Sequence, residues 1–281
     1  MKKILVPVEL SHNSDALLNY ANYMSGLTGA VVHLFHVAQL PDFYVSDLED
    51  YKPYEKELKE ALGRISSASL NRLQEMKIKY FKESSSVEYD VRLAKNIYNE
   101  ILDYTNTLKP DLILMGSSTG EKYEKIRIGS NTERVIRLTK TPVVVINKLV
   151  NNPKLKKIVF ASDFQKESVE NFKFLDSFLT GYNASVRLLY INTKANFEEY
   201  EVVKDRVEKF KKNFKGDFSV VIRAGKNIEP AIVRYANSIN ADLIALGVKR
   251  KQGLALYFTD KITEGVINLS DIPVLAIDNP V

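Results

Sequence analysis

The residues best placed to do chemistry form one stretch. Gly116-Ser117-Ser118-Thr119-Gly120 is followed by eight mostly polar and charged residues, then by Gly129-Ser130-Asn131. Gly116–Gly120 satisfies the G-x-S-x-G pattern of a nucleophile elbow, and it follows an apolar run that reads as a strand. An elbow serine needs a base to activate it, and in that hydrolase class the histidine comes later in the chain. The three histidines here are His12, His33 and His36, all upstream. A turn-rich polar stretch, not a helix, follows Gly120, so the hydrolase assignment fails. The Walker A pattern and the dinucleotide G-x-G-x-x-G are both absent. What remains is a glycine at a strand end, a polar loop, and Gly129-Ser130 at the start of a helix. A glycine there lets backbone approach a ligand closely. A helix start offers unpaired N–H groups and a positive partial charge, which suit phosphate. Ser130-x-x-Glu133 equally reads as a capping box that needs no ligand. The residues by themselves leave both open.

Other chemistries are excluded more simply. The chain has no Cys, which removes disulfides, thiolate catalysis and Cys-based zinc or iron–sulfur sites. His33 and His36 stand three apart on an expected strand, so they face opposite sides and cannot share a metal. Lys and Arg total 40 against 35 Asp and Glu, a net charge of +5 spread over 281 residues. The short clusters Lys154–Lys157 and Lys249–Lys251 read as solvated turns, not as a nucleic-acid face. The loop cations Lys122, Lys125 and Arg127 read the same way. No stretch suits a secretory signal or a membrane span, and the expected compartment is cytoplasmic. No catalytic residue and no protein-held metal is expected. Glu9-Leu10-Ser11-His12-Asn13-Ser14 lacks the glycines of a pyrophosphate loop, which argues against an adenine-nucleotide hydrolase.

The elements that must position the glycine loop are legible because the chain repeats itself. Lys3–Leu10 returns in character as Lys157–Phe164, and Ala30–Val37 as Ala184–Ile191. Lys95-Asn96-Ile97 returns as Lys226-Asn227-Ile228, Asp111–Gly116 as Asp242–Gly247, and Thr141–Ile146 as Ile272–Ile277. The offset shortens between the second and third matches. The first repeat therefore carries an insertion around 41–54, with Phe43, Tyr44, Tyr51 and Tyr54 as an interaction patch or as a cover for their own domain. The repeats divide the chain into domains 1–149 and 154–281, joined by Asn-Asn-Pro. The patterning predicts strands in the first repeat at about 3–8, 30–37, 86–93, 111–116 and 142–147. It predicts helices at about 13–26, 54–80, 96–108 and 130–140. Near-continuous apolar strands joined by long crossovers imply parallel sheets covered on both faces. The expected fold is α/β: two tandem doubly wound, Rossmann-like sheets of five strands each, mostly parallel. Ligands of such sheets sit at the carboxyl ends of strands where the strand order reverses.

The loop closely resembles the universal stress protein family, whose motif is G-x2-G-x9-G-[ST] after the fourth strand. Gly116, Thr119 in place of the second glycine, then Gly129-Ser130 match its spacing. Ile4–Glu9, His36-Val37, Thr132–Ile136 and Thr141-Pro142 resemble the family's neighbouring elements, and the resemblance runs through the chain twice. It implies that ATP binds in the first repeat, with Mg2+ on its phosphates. Pro7, Val8 and Glu9 would flank the nucleoside, and Val37 would offer backbone to the adenine. Met115, Gly116 and Thr119 would line the ribose and first phosphates. Gly129, Ser130 and Asn131 would receive the remaining phosphates. The second repeat keeps Gly247 but carries Arg250 and Asp260-Lys261 at the other motif positions. Asp260 would set a carboxylate where phosphate sits, a repulsion of a few kcal/mol at about 4 Å, so no triphosphate is expected there. The resemblance further implies a stress-associated sensor or interaction module, with a nucleotide-free scaffold as the alternative. It also implies that the last strands of the two repeats meet as an internal pseudo-dimer, with a homodimer as a further form.

Overall fold

The computed structural model describes residues 1–10, 14–40, 55–117, 128–216, 218–248 and 261–278. Thr119, the insertion aromatics, Lys122, Lys125, Arg127, Lys249–Lys251 and Asp260 lie outside the described residues. By internal contacts the chain forms two compact units, Met1–Gly116 and Ser117–Val281.

The first unit alternates β1 (Lys3–Pro7), α1 (Asp15–Thr28), β2 (Val31–Gln39), α2 (Glu55–Tyr80), β3 (Val87–Ala94), α3 (Ile97–Leu108) and β4 (Leu112–Gly116). Its strand order is β3-β2-β1-β4, parallel throughout. Ile4, Leu5, Val6 and Leu112–Leu114 are completely buried. Consecutive residues of a strand face opposite sides, so burial of all of them means both faces of the sheet are covered. On β2, Phe35 stacks on Tyr104 of α3 with ring centroids 4.1 Å apart. Helix α1 stops at Gly29, which adopts φ 69° and returns its N–H to the Ser25 carbonyl at 2.8 Å. That left-handed turn costs glycine little and other residues more.

The second unit contains α4 (Ser130–Leu138), β5 (Val143–Ile146), β6 (Lys157–Ala161), α5 (Glu167–Leu179), β7 (Ser185–Thr193), α6 (Tyr200–Lys211), β8 (Ser219–Gly225), α7 (Ile228–Ser238), β9 (Leu243–Val248), α8 (Lys261–Leu269) and β10 (Val274–Asp278). Its strand order is β5-β10-β9-β6-β7-β8. Every neighbour is parallel except β5 and β10, which pair antiparallel through Val145↔Val274, Val144↔Leu275 and Val143↔Ala276. The expected meeting of the two repeats' last strands is thus a direct backbone ladder. It also explains why α4 and β5, which belong to the first sequence repeat, cluster with the second unit. The core is aromatic: Phe172 lies 5.1 Å from Phe160 and 5.3 Å from Phe210, both edge-on, the arrangement the ring quadrupoles favour.

Each expected element of the first repeat returns within two residues of its observed bounds. The repeated Lys-Asn-Ile marks the same event twice: Asn96 and Asn227 are extended N-caps of α3 and α7. Asp111 and Asp242 also recur in role. Asp111 Oδ2 accepts from the backbone N–H of Lys2 and Lys3 at 2.5 and 2.9 Å. Asp242 Oδ2 accepts from those of Lys156 and Lys157, both at 2.9 Å. In each repeat the acid before the fourth strand pins the start of the first.

Candidate functional site

In the first unit the strand order reverses at β1, which has β2 on one side and β4 on the other. The carboxyl ends of these three strands carry Pro7, Val8 and Glu9, Val37, and Met115 with Gly116. Val8 is buried and donates its N–H to the Phe35 carbonyl at 2.8 Å. Its own carbonyl accepts from His36 Nδ1 at 2.9 Å, so that nitrogen carries the proton. Glu9 is exposed, and its carbonyl accepts from Ser14 Oγ at 2.6 Å. Val37 and Met115 are buried. Gly116 does not have a positive φ. A Cβ built there meets nothing described within 4 Å.

Gly129, Ser130 and Asn131 belong to the second unit, at the head of α4. Gly129 is the N-cap, extended at φ −67°, ψ 146°, with no side chain to accept from the first amides. Ser130 is therefore the first helical residue, not the cap, and it is exposed. Glu133 bonds Arg137 one turn on. The capping box that the sequence allowed does not form. Ser117, next to Gly116, donates its N–H to the Ile146 carbonyl at 3.3 Å, while its buried Oγ has no partner among the described residues.

A cavity of about 440 Å³ opens at the carboxyl ends of β6, β7 and β9 in the second unit, the corresponding place in its sheet. Ser162, Asp163, Asn171 and Gly247 lie in its wall. Gly247 is the second repeat's counterpart of Gly116, but its role differs. A Cβ there would fall 2.0 Å from Asn171 Nδ2. The offset that carries Lys3 to Lys157 carries Leu17 to Asn171, so an amide replaces an aliphatic side chain beside this glycine. Phe164, two residues after Ser162, holds φ 55° while only 3% exposed. A bulky residue in the left-handed region is uncommon. Burial among Phe160 and Phe210 and a 3.0 Å bond from its N–H to Ser162 Oγ hold it there.

Beside the cavity, Tyr190 donates to Glu198 Oε2 at 2.6 Å, and Arg206 bonds both Glu198 and the Asp163 carbonyl, the latter at 3.0 Å. Burial and the Glu198 carboxylate push the Tyr190 hydroxyl up to about 12. Arg206 and Tyr190 hold Glu198 below the usual carboxylate range. This triad fixes the loop after β7 and stays in one protonation state at neutral pH.

The profile of the universal stress protein family matches residues 1–147 and again 154–278. The chain belongs to the universal stress protein family. Two universal stress proteins of Methanocaldococcus jannaschii are similar to it. One is 25% identical over 161 residues, covering 52% of this chain and 95% of the relative. The other is 27% identical over 148 residues, covering 52% and 82%. Two solved structures extend the likeness to the full length. A universal stress protein from Archaeoglobus fulgidus has a TM-score of 0.68 at 19% identity, covering 99% of this chain and 96% of its own. A functionally unknown protein from Pseudomonas aeruginosa has a TM-score of 0.72 at 17% identity, covering 99% and 93%. At such identities the likeness establishes the fold.

Within this family member, sequence reasoning passed over Asn171 and the Tyr190–Glu198–Arg206 triad. For Asn171 a signal existed: an amide interrupts the apolar face of a helix whose other buried positions include Phe172, Leu175 and Phe178. For the triad none did, because its members are brought together only by the fold.

Proposed function

We propose that this universal stress protein binds ATP through its first repeat and acts in the cytoplasm as a nucleotide-dependent sensor or interaction module. The nucleoside is assigned to Pro7, Val8, Glu9 and Val37, the ribose and first phosphates to Met115, Gly116 and Thr119. The remaining phosphates are assigned to the amides and hydroxyl of Gly129, Ser130 and Asn131. The observation that carries this reading is the uncapped head of α4. Its N-cap is a glycine without an acceptor, Ser130 lies inside the helix, and Glu133 is engaged with Arg137. Amides left without a side-chain cap favour an anion. That a Cβ at Gly116 meets no described atom within 4 Å supports the same reading. Mg2+ would ride on the phosphates. No general base is assigned to the loop, so the role is binding and not rapid hydrolysis.

The two sequence repeats, 1–149 and 154–281, are taken as functional halves, the first holding nucleotide and the second serving structure or regulation. The antiparallel β5–β10 ladder supports an internal pseudo-dimer of these halves. The test is mass analysis of nucleotide released from freshly purified protein and from Gly129→Asp. A carboxylate at the N-cap would satisfy the helix amides and repel phosphate. Wild type should release ATP and the variant at least tenfold less. Equal release from both would leave the nucleotide-free scaffold as the better account.

A further inference from the structure

The offset that carries Lys95 to Lys226 lays β3 on β8 residue by residue. Both are outer strands: among the described residues β3 pairs with β2 alone and β8 with β7 alone. An outer strand leaves ladder groups unpaired along its open side. In the first repeat that edge is charge-compensated. Arg92 lies over the Tyr104 ring, 5.0 Å from its centroid, with Glu100 at 2.6 Å and Asp90 at 3.9 Å. Asp90 Oδ1 also accepts the N–H of Val91 at 2.8 Å, and Glu88 stands 3.3 Å from His33.

The second repeat keeps the cation and its ring but drops these acids. Arg223 takes the place of Arg92, over the ring of Tyr235 at 6.0 Å. Asp90 becomes Val221, Glu100 becomes Ala231, and Glu88 becomes Ser219. His33 becomes Arg187, which bonds Ser219 instead of an acid. Neither arginine has a carboxylate partner among the described residues, and Arg223 is exposed. Of the acids nearby in sequence, Glu229 lies against Gly265 of α8, and Asp217 is outside the described residues. Lys212, Lys215 and Lys226, at the two ends of β8, are exposed.

The edge therefore combines three features. Its backbone is open. Val220, Val221 and Ile222 are half-buried, on alternating faces. Arg187 lies opposite Ser219, which shares a face with Arg223, so both uncompensated cations are on one side of the sheet. A nucleic acid would answer the charge but not the amide ladder. A second copy of β8 would answer the ladder but bring two basic edges together. An extended acidic peptide answers all three.

We propose that β8 receives an extended acidic peptide segment as an added strand. Carboxylates on its alternate residues reach Arg223 and Arg187, in the role that Asp90, Glu100 and Glu88 fill in the first repeat. Apolar residues between them cover Val220 and Ile222. In this mode main-chain bonds give affinity and alternate side chains give specificity. The site is independent of the nucleotide reading, which concerns the first repeat.

The experiment titrates the full-length, isotope-labelled protein with the peptide acetyl-Ser-Glu-Val-Glu-Val-Glu-Ser-amide at constant ionic strength. The readout is the amide shifts of Val220, Val221, Ile222 and Arg223. The comparison probes are the same peptide with Lys for Glu, two copies N-methylated at the glutamates or at the valines, and oligothymidylate. The acidic peptide should shift these amides saturably and bind at least tenfold more tightly than the lysine peptide. The copy blocked on its β8-facing amides should lose binding, and the other should keep it. Val221→Asp, which restores the first repeat's acid, should weaken the peptide at least tenfold. Arg223→Gln, at an exposed position, should weaken it at least fivefold and serves if the first variant fails to fold. Gly129→Asp should leave peptide binding unchanged. The proposal falls if the acidic peptide gives no saturable shift, or if the lysine peptide or oligothymidylate moves the same amides as strongly. It falls equally if both N-methylated copies bind like the parent, if Arg223→Gln binds like wild type, or if these amides shift on dilution of the protein alone, the mark of self-pairing.

Discussion

At the scale of single residues, His33 shows how burial sets a charge state. It lies on β2 at 5% exposure, with Nδ1 3.3 Å from Glu88 Oε2 and Nε2 without a partner among the described residues. Burial lowers its pKa below the ordinary 6.5, Glu88 opposes that, and Lys3 adds to it. The folded protein therefore binds this proton less readily than the unfolded chain does. Its contribution to stability is complete above pH 6.5 and is lost progressively as the pH falls through the folded value. The urea midpoint of the wild type should drop between pH 7.5 and 5.5 by more than that of His33→Leu. Parallel drops in the two proteins would show that His33 is not responsible. Gly116 and Gly247 make a second point at this scale. Both were legible as the same motif glycine, yet a Cβ at one meets no described atom within 4 Å and a Cβ at the other would meet an amide. A glycine in a sequence announces a missing Cβ without saying what uses the room.

At the scale of elements, the chain is punctuated by residues that tie one element to another. Asp111 and Asp242 each accept two backbone N–H groups at the start of a strand. Burial pushes the Asp111 carboxyl up, but the Lys2 and Lys3 amides outweigh it and hold the pKa below its ordinary value. Hydrogen bonds to a charged acceptor contribute about 1.5–3 kcal/mol, and partial exposure here reduces that. Asp111→Ala and Asp242→Ala should each cost about 1–2 kcal/mol in urea unfolding, while Asp→Asn should retain part of it. A loss below about 0.3 kcal/mol in either would show that water replaces the clamp. The internal repetition made this pair of acids visible, and the strand and helix positions followed from hydrophobic period. The head of α4 was not decidable in the same way. Ser130-x-x-Glu133 fits a capping box until the helix is seen to start one residue earlier, with Gly129 as its cap and Glu133 turned to Arg137. A one-residue shift of a helix start lies beyond what local pattern resolves.

At the scale of the whole chain, the end of the first repeat is built into the second unit. β5, from the first repeat, forms its ladder with β10, from the second. Asn147, immediately after β5, reinforces the tie. It is buried, and its Nδ2 donates to the carbonyls of Ile267 and Ser270 at 2.6 and 2.7 Å. Both acceptors belong to fully buried residues. Asn147→Leu keeps the volume and removes the donor, so two carbonyls are left unmet at a cost of about 2 kcal/mol. The midpoint of urea unfolding should fall accordingly with an unchanged slope. A changed slope would mean instead that the tie between the repeats governs cooperativity.

The sequence by itself determined that the chain is duplicated, that each copy alternates strand and helix, and that the glycine loop follows a fourth strand. It also ruled out thiol, zinc–thiolate and serine-hydrolase chemistry. All of these depend on residue type, period and order, which are local or self-referential properties. Only the tertiary structure decided which strands join the repeats, and that the glycine of the second repeat lies against Asn171, whose Oδ1 has no partner among the described residues. Those depend on which distant side chains share a volume, and two copies with the same period can fill that volume differently.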